Sequence, residues 1–418
     1  MPAEAGIAEV AGRAARPATA LARVTGPAAD EFGERHWGRA PLLVRGCDPD
    51  GFRDLLDLDG VDELLSRRGL RTPFLRLARN GAVVDSRAFT GPGGVGAEIA
   101  DQVRDDAVAA LFADGTTVVL QALHRTWPAV ADLATALSAE LGHPVQANAY
   151  VTPPSSRGFS AHYDVHDVFV LQLAGAKHWT VHAPVHDDPL RDQPWNDHAD
   201  EVAARARDDE PTLDTVLEPG DALYLPRGWL HAATALGGVS AHLTVGVHVV
   251  TRFALVEALT ALVAQDPRLR ASLPLGIDVA DPAQLAPHLD AVRGALVDAL
   301  GDVDAEDVAR RLRGRVWRGA RPEPVGPLAA AAFADGLAVG DSVRLRAGLR
   351  HRLVSRGDRV LLELPDREVG LPCACAPPLR ALLAGEPCRV GDLPGMDGPD
   401  QVVLVRRLLR EGVLVPAS

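Results

Sequence analysis

The pattern of apolar and polar positions changes character twice along the chain. From residue 51 to 139, helix-like stretches such as 101–112 alternate with short strand candidates such as 116–122. Between 145 and 250 short apolar and aromatic runs take over, at 145–152, 167–173, 178–182, 222–226 and 240–249, separated by Gly and Pro turns. Several short strands so punctuated predict a sandwich or barrel. Beyond Thr251, apolar residues recur at helical spacing over 253–264 and 285–300, which predicts a helical module. Residues 343–418 combine strand candidates at 359–364 and 413–415 with helices near 378–384 and 400–410, an order that suits a small winged-helix domain. The Ala-, Gly- and Pro-rich opening lacks a sustained period and reads as a poorly ordered arm. Pro322, Pro324 and Pro327 mark a late boundary. The expected organisation is thus an arm over 1–25, an α+β domain over 26–250, a helical module over 251–320 and a winged-helix-like domain over 321–418.

Composition narrows the function. In 418 residues, 47% hydrophobic and 24% charged describe a folded protein rather than a disordered one. Glu4, Glu9, Arg13 and Arg16 interrupt the opening segment, so no secretory signal is read there. No run approaches the roughly 18 apolar residues of a membrane span, so no membrane partner is expected and the cytoplasm is the expected location. The net charge of −13 argues against a dedicated nucleic-acid binder, and the arginines at 344, 346, 350, 352, 356 and 359 are read as a solvated basic face. Four cysteines are too few to staple the chain, and Cys373 with Cys375 lacks the second pair that a zinc site uses. The 43 basic residues include a single lysine, Lys177. All three tyrosines and nine of the fourteen histidines lie between residues 148 and 250, which directs the search for chemistry to that region.

Two elements there carry it. His162-Tyr163-Asp164 places an imidazole and a carboxylate two residues apart, so in extended backbone both leave one face. Alone, such a pair is usually just solvated. Gly220-Asp221-Ala222-Leu223-Tyr224-Leu225-Pro226-Arg227-Gly228-Trp229-Leu230-His231 starts a strand at a Pro-Gly-Asp turn and ends at a histidine. It resembles the second cupin motif, departing from it at Ala235, where many cupins have Asn. Together His162, Asp164 and His231 would form a two-histidine, one-carboxylate triad that leaves positions open on Fe(II) for a chelating cosubstrate and dioxygen. A buried ammonium at Lys177 needs an anionic partner, and the far carboxylate of 2-oxoglutarate is one; the plainer alternative is a snorkelling surface lysine. Asn148 and Tyr150, again two apart, can offer an amide and a phenol to the same carboxylate, or Tyr150 packs in the core. His242 either lines the cosubstrate pocket or competes as a metal ligand. The polar insert 184–211 reads as a loop or short helix at the barrel rim.

Asn148-Ala149-Tyr150-Val151-Thr152-Pro153-Pro154, Gly158-Phe159, His162-Tyr163-Asp164, Phe169-Val170-Leu171-Gln172-Leu173 and the early Trp37-Gly38-Arg39-Ala40-Pro41-Leu42 resemble the JmjC-type cupin ribosomal oxygenases. The resemblance is specific from about Phe32 to Val250 and continues beyond only as module order. It implies an α+β fold built on a double-stranded β-helix (the cupin/JmjC jelly roll), a helical dimerisation module and hence a homodimer, and a C-terminal winged helix that is not a DNA reader. It also implies Fe(II), 2-oxoglutarate as cosubstrate, and hydroxylation of a protein side chain, with ribosomal proteins as the known substrates. Carried over by position, His162, Asp164 and His231 hold iron, Lys177 binds the cosubstrate carboxylate, and Asn148, Tyr150 and His242 line its pocket. Lys177, where some arginine-modifying bacterial members use Arg, leans toward the histidine-hydroxylating branch. Two rivals stand beside this: the same chemistry on a ribosomally made peptide natural product or small metabolite, and a non-catalytic metal-binding cupin.

Overall fold

Residue alternation along the region's first strand, 145–152, sets the architecture. Val145, Ala147, Ala149 and Val151 are buried on one face, while Gln146, Asn148 and Tyr150 occupy the other. The computed structural model describes residues 8–11, 19–79, 81–154, 156 and 159–417, and the chain divides into two compact units at Val249/Val250.

The first unit contains β1 (Ala8–Ala11), β2 (Leu42–Arg45), β3 (Leu75–Arg79), β4 (Ala82–Val83), β5 (Thr90–Gly91), β6 (Gln102–Val103), β7 (Thr117–Leu120), β8 (Val145–Thr152), β9 (Asp167–His182), β10 (Leu213–Leu217), β11 (Ala222–Leu225) and β12 (Leu230–Val247). Ten of these form one sheet path, β1-β2-β11-β9-β12-β8-β7-β3-β4, with β10 added on β9. Every pairing along it is antiparallel except β1 with β2. Helices Leu58–Arg67, Asp105–Ala113 and Pro128–Leu141 bury Val61, Leu64, Val108, Val130 and Leu137 in the same core as Leu77, Val118, Val151 and Leu243.

The strands expected at 167–173 and 178–182 are one strand, β9. Gly175, at φ +59°, bends it, and a Cβ there would lie 2.2 Å from the Val239 carbonyl oxygen. β12 bends opposite, with its register shifting between Leu236 and Ala241. A glycine read as a strand end is instead a corner that keeps the ladder going, the usual use of bulges where a sheet folds over. The arm reading of residues 1–25 also needs correction. Residues 1–7 and 12–18 lie outside the described residues, but Ala8–Ala11 is a strand on β2, and Ala20–Thr25 is a helix whose Ala20 and Leu21 N–H groups donate to the Glu140 carboxylate. A four-residue strand has no period of its own to read; the free edge of β2 supplies its partner.

The Pro-Gly-Asp turn is held from three sides. Arg45 donates to Asp221 Oδ2 at 2.8 Å, Gly46 N–H to Oδ1 at 2.8 Å, and Asp48 N–H to the Gly220 carbonyl at 3.0 Å. Gly220 sits at φ +96°, where a Cβ would come within 2.2 Å of the Asp48 carbonyl oxygen. Gly220→Ala is therefore expected to cost on the order of 3 kcal/mol, from left-handed strain plus a backbone clash. A thermal melt should show a fall of roughly 6–10 °C.

The second unit opens with helices Arg252–Val263, Pro267–Arg270, Pro282–Gly301, Ala305–Gly319 and Pro327–Asp335. It continues with two three-stranded sheets, one of Ser342–Leu345, Cys388–Arg389 and Leu414–Pro416, the other of Arg352–Arg356, Arg359–Glu363 and Glu368–Pro372, and with helices Ala376–Leu383 and Gly398–Arg410. The helices expected near 378–384 and 400–410 are present; six strands stand where two were read. The missed strands are two to five residues long and three of the four carry arginine, so their alternation is weak. Part of the expected basic face is paired internally: Arg344 with Glu323 at 2.9 Å and Arg352 with Glu306 at 2.5 Å. Cys375 is buried in the core while Cys373 is exposed.

Candidate active site

The site is assembled where β12 begins. His162 and His231 exchange backbone hydrogen bonds as an isolated bridge, His231 N–H to the His162 carbonyl at 2.8 Å and His162 N–H to the His231 carbonyl at 3.2 Å. Gly228 N–H donates to the Asp164 carbonyl at 3.0 Å, tying the Pro226-Arg227-Gly228 turn to the second half of the motif. The turn itself is anchored by a buried carboxylate. Asp167 accepts from Tyr224 Oη at 2.5 Å and from Arg227 N–H at 3.1 Å, while Tyr224 Oη accepts from Gly38 N–H at 2.9 Å. Burial pushes the Asp167 carboxyl up, and these two donors oppose it.

One ligand atom from each of His162, Asp164 and His231 lies within 4.8 Å of the others, the only such cluster of three or more His, Cys, Asp or Glu among the described residues. His231 Nε2 is 3.7 Å from Asp164 Oδ2. Both imidazoles turn Nδ1 onto a backbone carbonyl, His162 on Ser160 at 2.8 Å and His231 on Trp229 at 3.1 Å. Nδ1 therefore carries the proton, and each Nε2 lone pair is left for a cation. Burial, aided by His162, lowers the His231 pKa to about 4, so the ring is neutral at physiological pH. Burial pushes the Asp164 carboxyl up, but His166, His231 and His162 outweigh it and hold it below its usual value. Two imidazoles and one carboxylate with converging ligand atoms suit a divalent first-row metal with open positions.

A cavity of about 250 Å³ runs from the triad to Lys177, lined also by Arg76, Thr117, Tyr150, Phe159, Trp179, Trp195 and His242. Lys177 lies within β9, not near a strand start, and is only 3% exposed. Its Nζ donates to Thr152 Oγ1 at 3.2 Å and lies 3.4 Å from His242 Nδ1, and no ion pair among the described residues includes it. Burial alone pulls its pKa from 10.5 down to about 7. A buried amine lacking a carboxylate, beside a Trp179 indole N–H that is buried without a partner, is a receptor for an anion. Tyr150 stacks on His242 at 5.1 Å, and burial with the nearby Asp164 pushes its phenol up to about 12. His242 itself is outside the ligand cluster and is held well below its usual pKa by burial and by Lys177.

The structure does not bring Asn148 into this cavity. Its carboxamide oxygen accepts the Ala122 N–H at 2.9 Å, a local demand of the 120–123 turn that spacing could not reveal. Thr152 takes the nearer place to Lys177; it sits two residues beyond Tyr150, so the same alternation could have found it. Gly158, part of the quoted motif, lies outside the described residues, whereas Phe159 lines the cavity. The polar insert contributes Trp195, 6.3 Å from His162, and then the helix Ala199–Asp208. A larger apolar cavity of about 500 Å³, lined by Val118, Val151 and Val239, shares no residue with the triad cavity and holds no comparable set of ligand atoms.

Residues 123–255 match the family model described as the JmjC domain, which spans β8, β9 and β12 and so contains all three ligand residues. The chain thus contains a region similar to the JmjC domain. Among curated proteins the chain is 34% identical over 221 residues to ribosomal oxygenase 1 of Gallus gallus, covering 52% of this chain and 35% of that protein. It is 30% identical over 256 residues to the bifunctional lysine-specific demethylase and histidyl-hydroxylase NO66 of Drosophila persimilis, covering 58% and 34%. The chain thus spans about a third of the length of these curated relatives. Among solved structures, Escherichia coli YcfD, a ribosomal oxygenase in complex with cobalt and 2-oxoglutarate, superposes with a TM-score of 0.51 at 19% identity over 93% of this chain and 98% of that one, a likeness of fold.

Proposed function

We propose that this protein is an Fe(II)- and 2-oxoglutarate-dependent oxygenase that hydroxylates a side chain of a protein, with a ribosomal protein as the substrate class to test first. The observation that carries the reading is the unpaired Lys177 ammonium at the far end of a cavity that opens on the His162, Asp164 and His231 ligand set. His162, Asp164 and His231 would hold a ferrous ion, whose chemistry when bound couples oxidative decarboxylation of 2-oxoglutarate by dioxygen, to succinate and carbon dioxide, to insertion of the second oxygen atom into a substrate C–H bond. Lys177, with the Thr152 hydroxyl, neutralises and orients the distal carboxylate of the cosubstrate. His242 and Trp179 wall its length, and the neutral state of His242 leaves the positive charge on Lys177. Phe159 and Trp195 close the approach on the triad side and exclude water.

The homodimer implied by the family is supported by exposed apolar side chains on two helices of the second unit, Phe253, Leu255 and Val256 on one and Leu289, Val292 and Val297 on the other. The last part of the chain is assigned to a winged-helix-like role without nucleic-acid binding. Among the described residues no helix is long and apolar enough to cross a membrane, and we place the activity in the cytoplasm. The test is twofold. Titrating 2-oxoglutarate into the anaerobic Fe(II) form should give saturable binding; a metal-binding protein without turnover would show none. Ribosomal proteins from cells with and without this gene product should then differ by one added oxygen; unchanged masses despite cosubstrate binding would move the substrate to a peptide product or metabolite.

A further inference from the structure

Sheet register delivers to this cavity a residue that the quoted motifs do not contain. Arg76 on β3 stands opposite Val119 on β7, Val119 opposite Tyr150 on β8, and Tyr150 opposite His242 on β12. Residues directly opposite share a face, so Arg76 projects to the side that holds the active-site cavity. Its guanidinium lies 5.4 Å from the Phe159 ring centroid and donates a hydrogen bond to the Tyr150 phenol, which is itself close enough to feel the Asp164 charge. Nε is buried without an acceptor. Asp164 is the only carboxylate that lines the cavity among the described residues, and its ion-pair partner is His231.

Charge balance then separates the two cations of the cavity. On the oxygenase reading, the dication and Lys177 are offset by Asp164 and the two carboxylates of the cosubstrate. Arg76 is left without a counter-charge, on the triad side, its guanidinium hydrogen-bonded to the Tyr150 phenol and its Nε still without an acceptor. We propose that Arg76 selects the target side chain: it donates to a hydrogen-bond acceptor, best a carboxylate, on the residue presented for hydroxylation, and it turns away arginine and lysine. A guanidinium gains most from an anionic acceptor held in its fork. A cationic target would meet like charge inside a poorly solvated cavity, where repulsion is strong and discrimination correspondingly large. Phe159 and Trp195 supply flat walls for the aliphatic part of the target. This inference rests on the oxygenase reading and adds to it the chemical class of the substrate residue.

The test uses the full chain loaded with Mn(II) and 2-oxoglutarate, so that retention rather than turnover is read. Short peptide pools with randomised flanks and a fixed central Asp, Asn or Arg are passed over the immobilised protein and quantified by mass spectrometry. The Asp-centred pool should be retained about tenfold over the Arg-centred pool, with Asn between. Arg76→Gln should reduce that ratio to below about twofold, and Arg76→Lys should preserve the order, while both variants bind 2-oxoglutarate as the parent does. A role confined to packing against Phe159 would not move the rank order. Equal retention of the pools, including none of either, or preference for the Arg-centred pool, with 2-oxoglutarate bound normally, overturns the inference and leaves the oxygenase reading intact. Failure of the parent protein to bind 2-oxoglutarate overturns that reading and the inference with it.

Discussion

Alanine at His162 or His231 is expected to give a folded protein that holds ferrous ion at least on the order of 100-fold more weakly and forms no succinate. The size follows from the construction of the site. Each ring is fixed by its own Nδ1–H bond, to Ser160 and to Trp229, so its Nε2 is already aimed before any ion arrives. Removing one ring takes away a third of the protein ligands and the orientation that came with it. Folding should survive, because neither imidazole is part of a strong ion pair and the backbone bridge between 162 and 231 does not depend on the side chains. Metal content after desalting, succinate by mass spectrometry and a thermal melt check the three parts separately. A His162→Ala protein that keeps iron and full turnover would end the assignment of these ligands.

Lys177→Met should move stability and binding in opposite directions. In the free protein the folded pKa of about 7 lies below the ordinary 10.5. Between those values the unfolded chain holds a proton that the folded chain has released, so stability rises with pH across that window. The cost of burying the amine is fully present below about pH 7 and gone above about 10.5. It amounts to roughly 3–5 kcal/mol at neutral pH and below. Methionine fills much of the same volume without that cost, so the free protein should melt higher. Cosubstrate affinity should nevertheless fall on the order of 100-fold or more, since a carboxylate would be buried without its partner. A bound carboxylate favours the ammonium, so binding at pH 8 to 9 should take up close to one proton, and affinity should weaken as pH rises above about 7. Calorimetry in buffers of different ionisation enthalpy measures that uptake. Lower stability with unchanged affinity for the methionine variant would contradict the role given to Lys177.

Much of the site was legible because its chemistry rests on residue types with few alternatives. A His-x-Asp pair, a Pro-Gly-Asp turn leading to a histidine, and one lysine in a chain that otherwise uses arginine can each be seen without coordinates. Tyr150 and His242 also reach the cavity. Asn148 was misplaced for a local reason. Alternation gave its face correctly, but a nearby backbone N–H, that of Ala122, claims its carboxamide oxygen, and no spacing rule registers such a claim. Arg76 was invisible for a different reason. Nothing in Leu75-Arg76-Leu77 marks chemistry; its role depends on β3 pairing with β7 and β7 with β8.

The amino-acid sequence alone determined the candidate ligand set, the single lysine and the passage from a strand-rich region to a helical one, because these depend on residue type and short-range period. Tertiary structure decided which strands lie side by side, that β9 and β12 turn corners at Gly175 and 236–241 instead of ending, and which cavity-facing side chains remain free for a ligand. The period of a strand fixes the two faces of its own residues. Its neighbour and register are chosen by burial summed over the whole sheet, a quantity no local window contains.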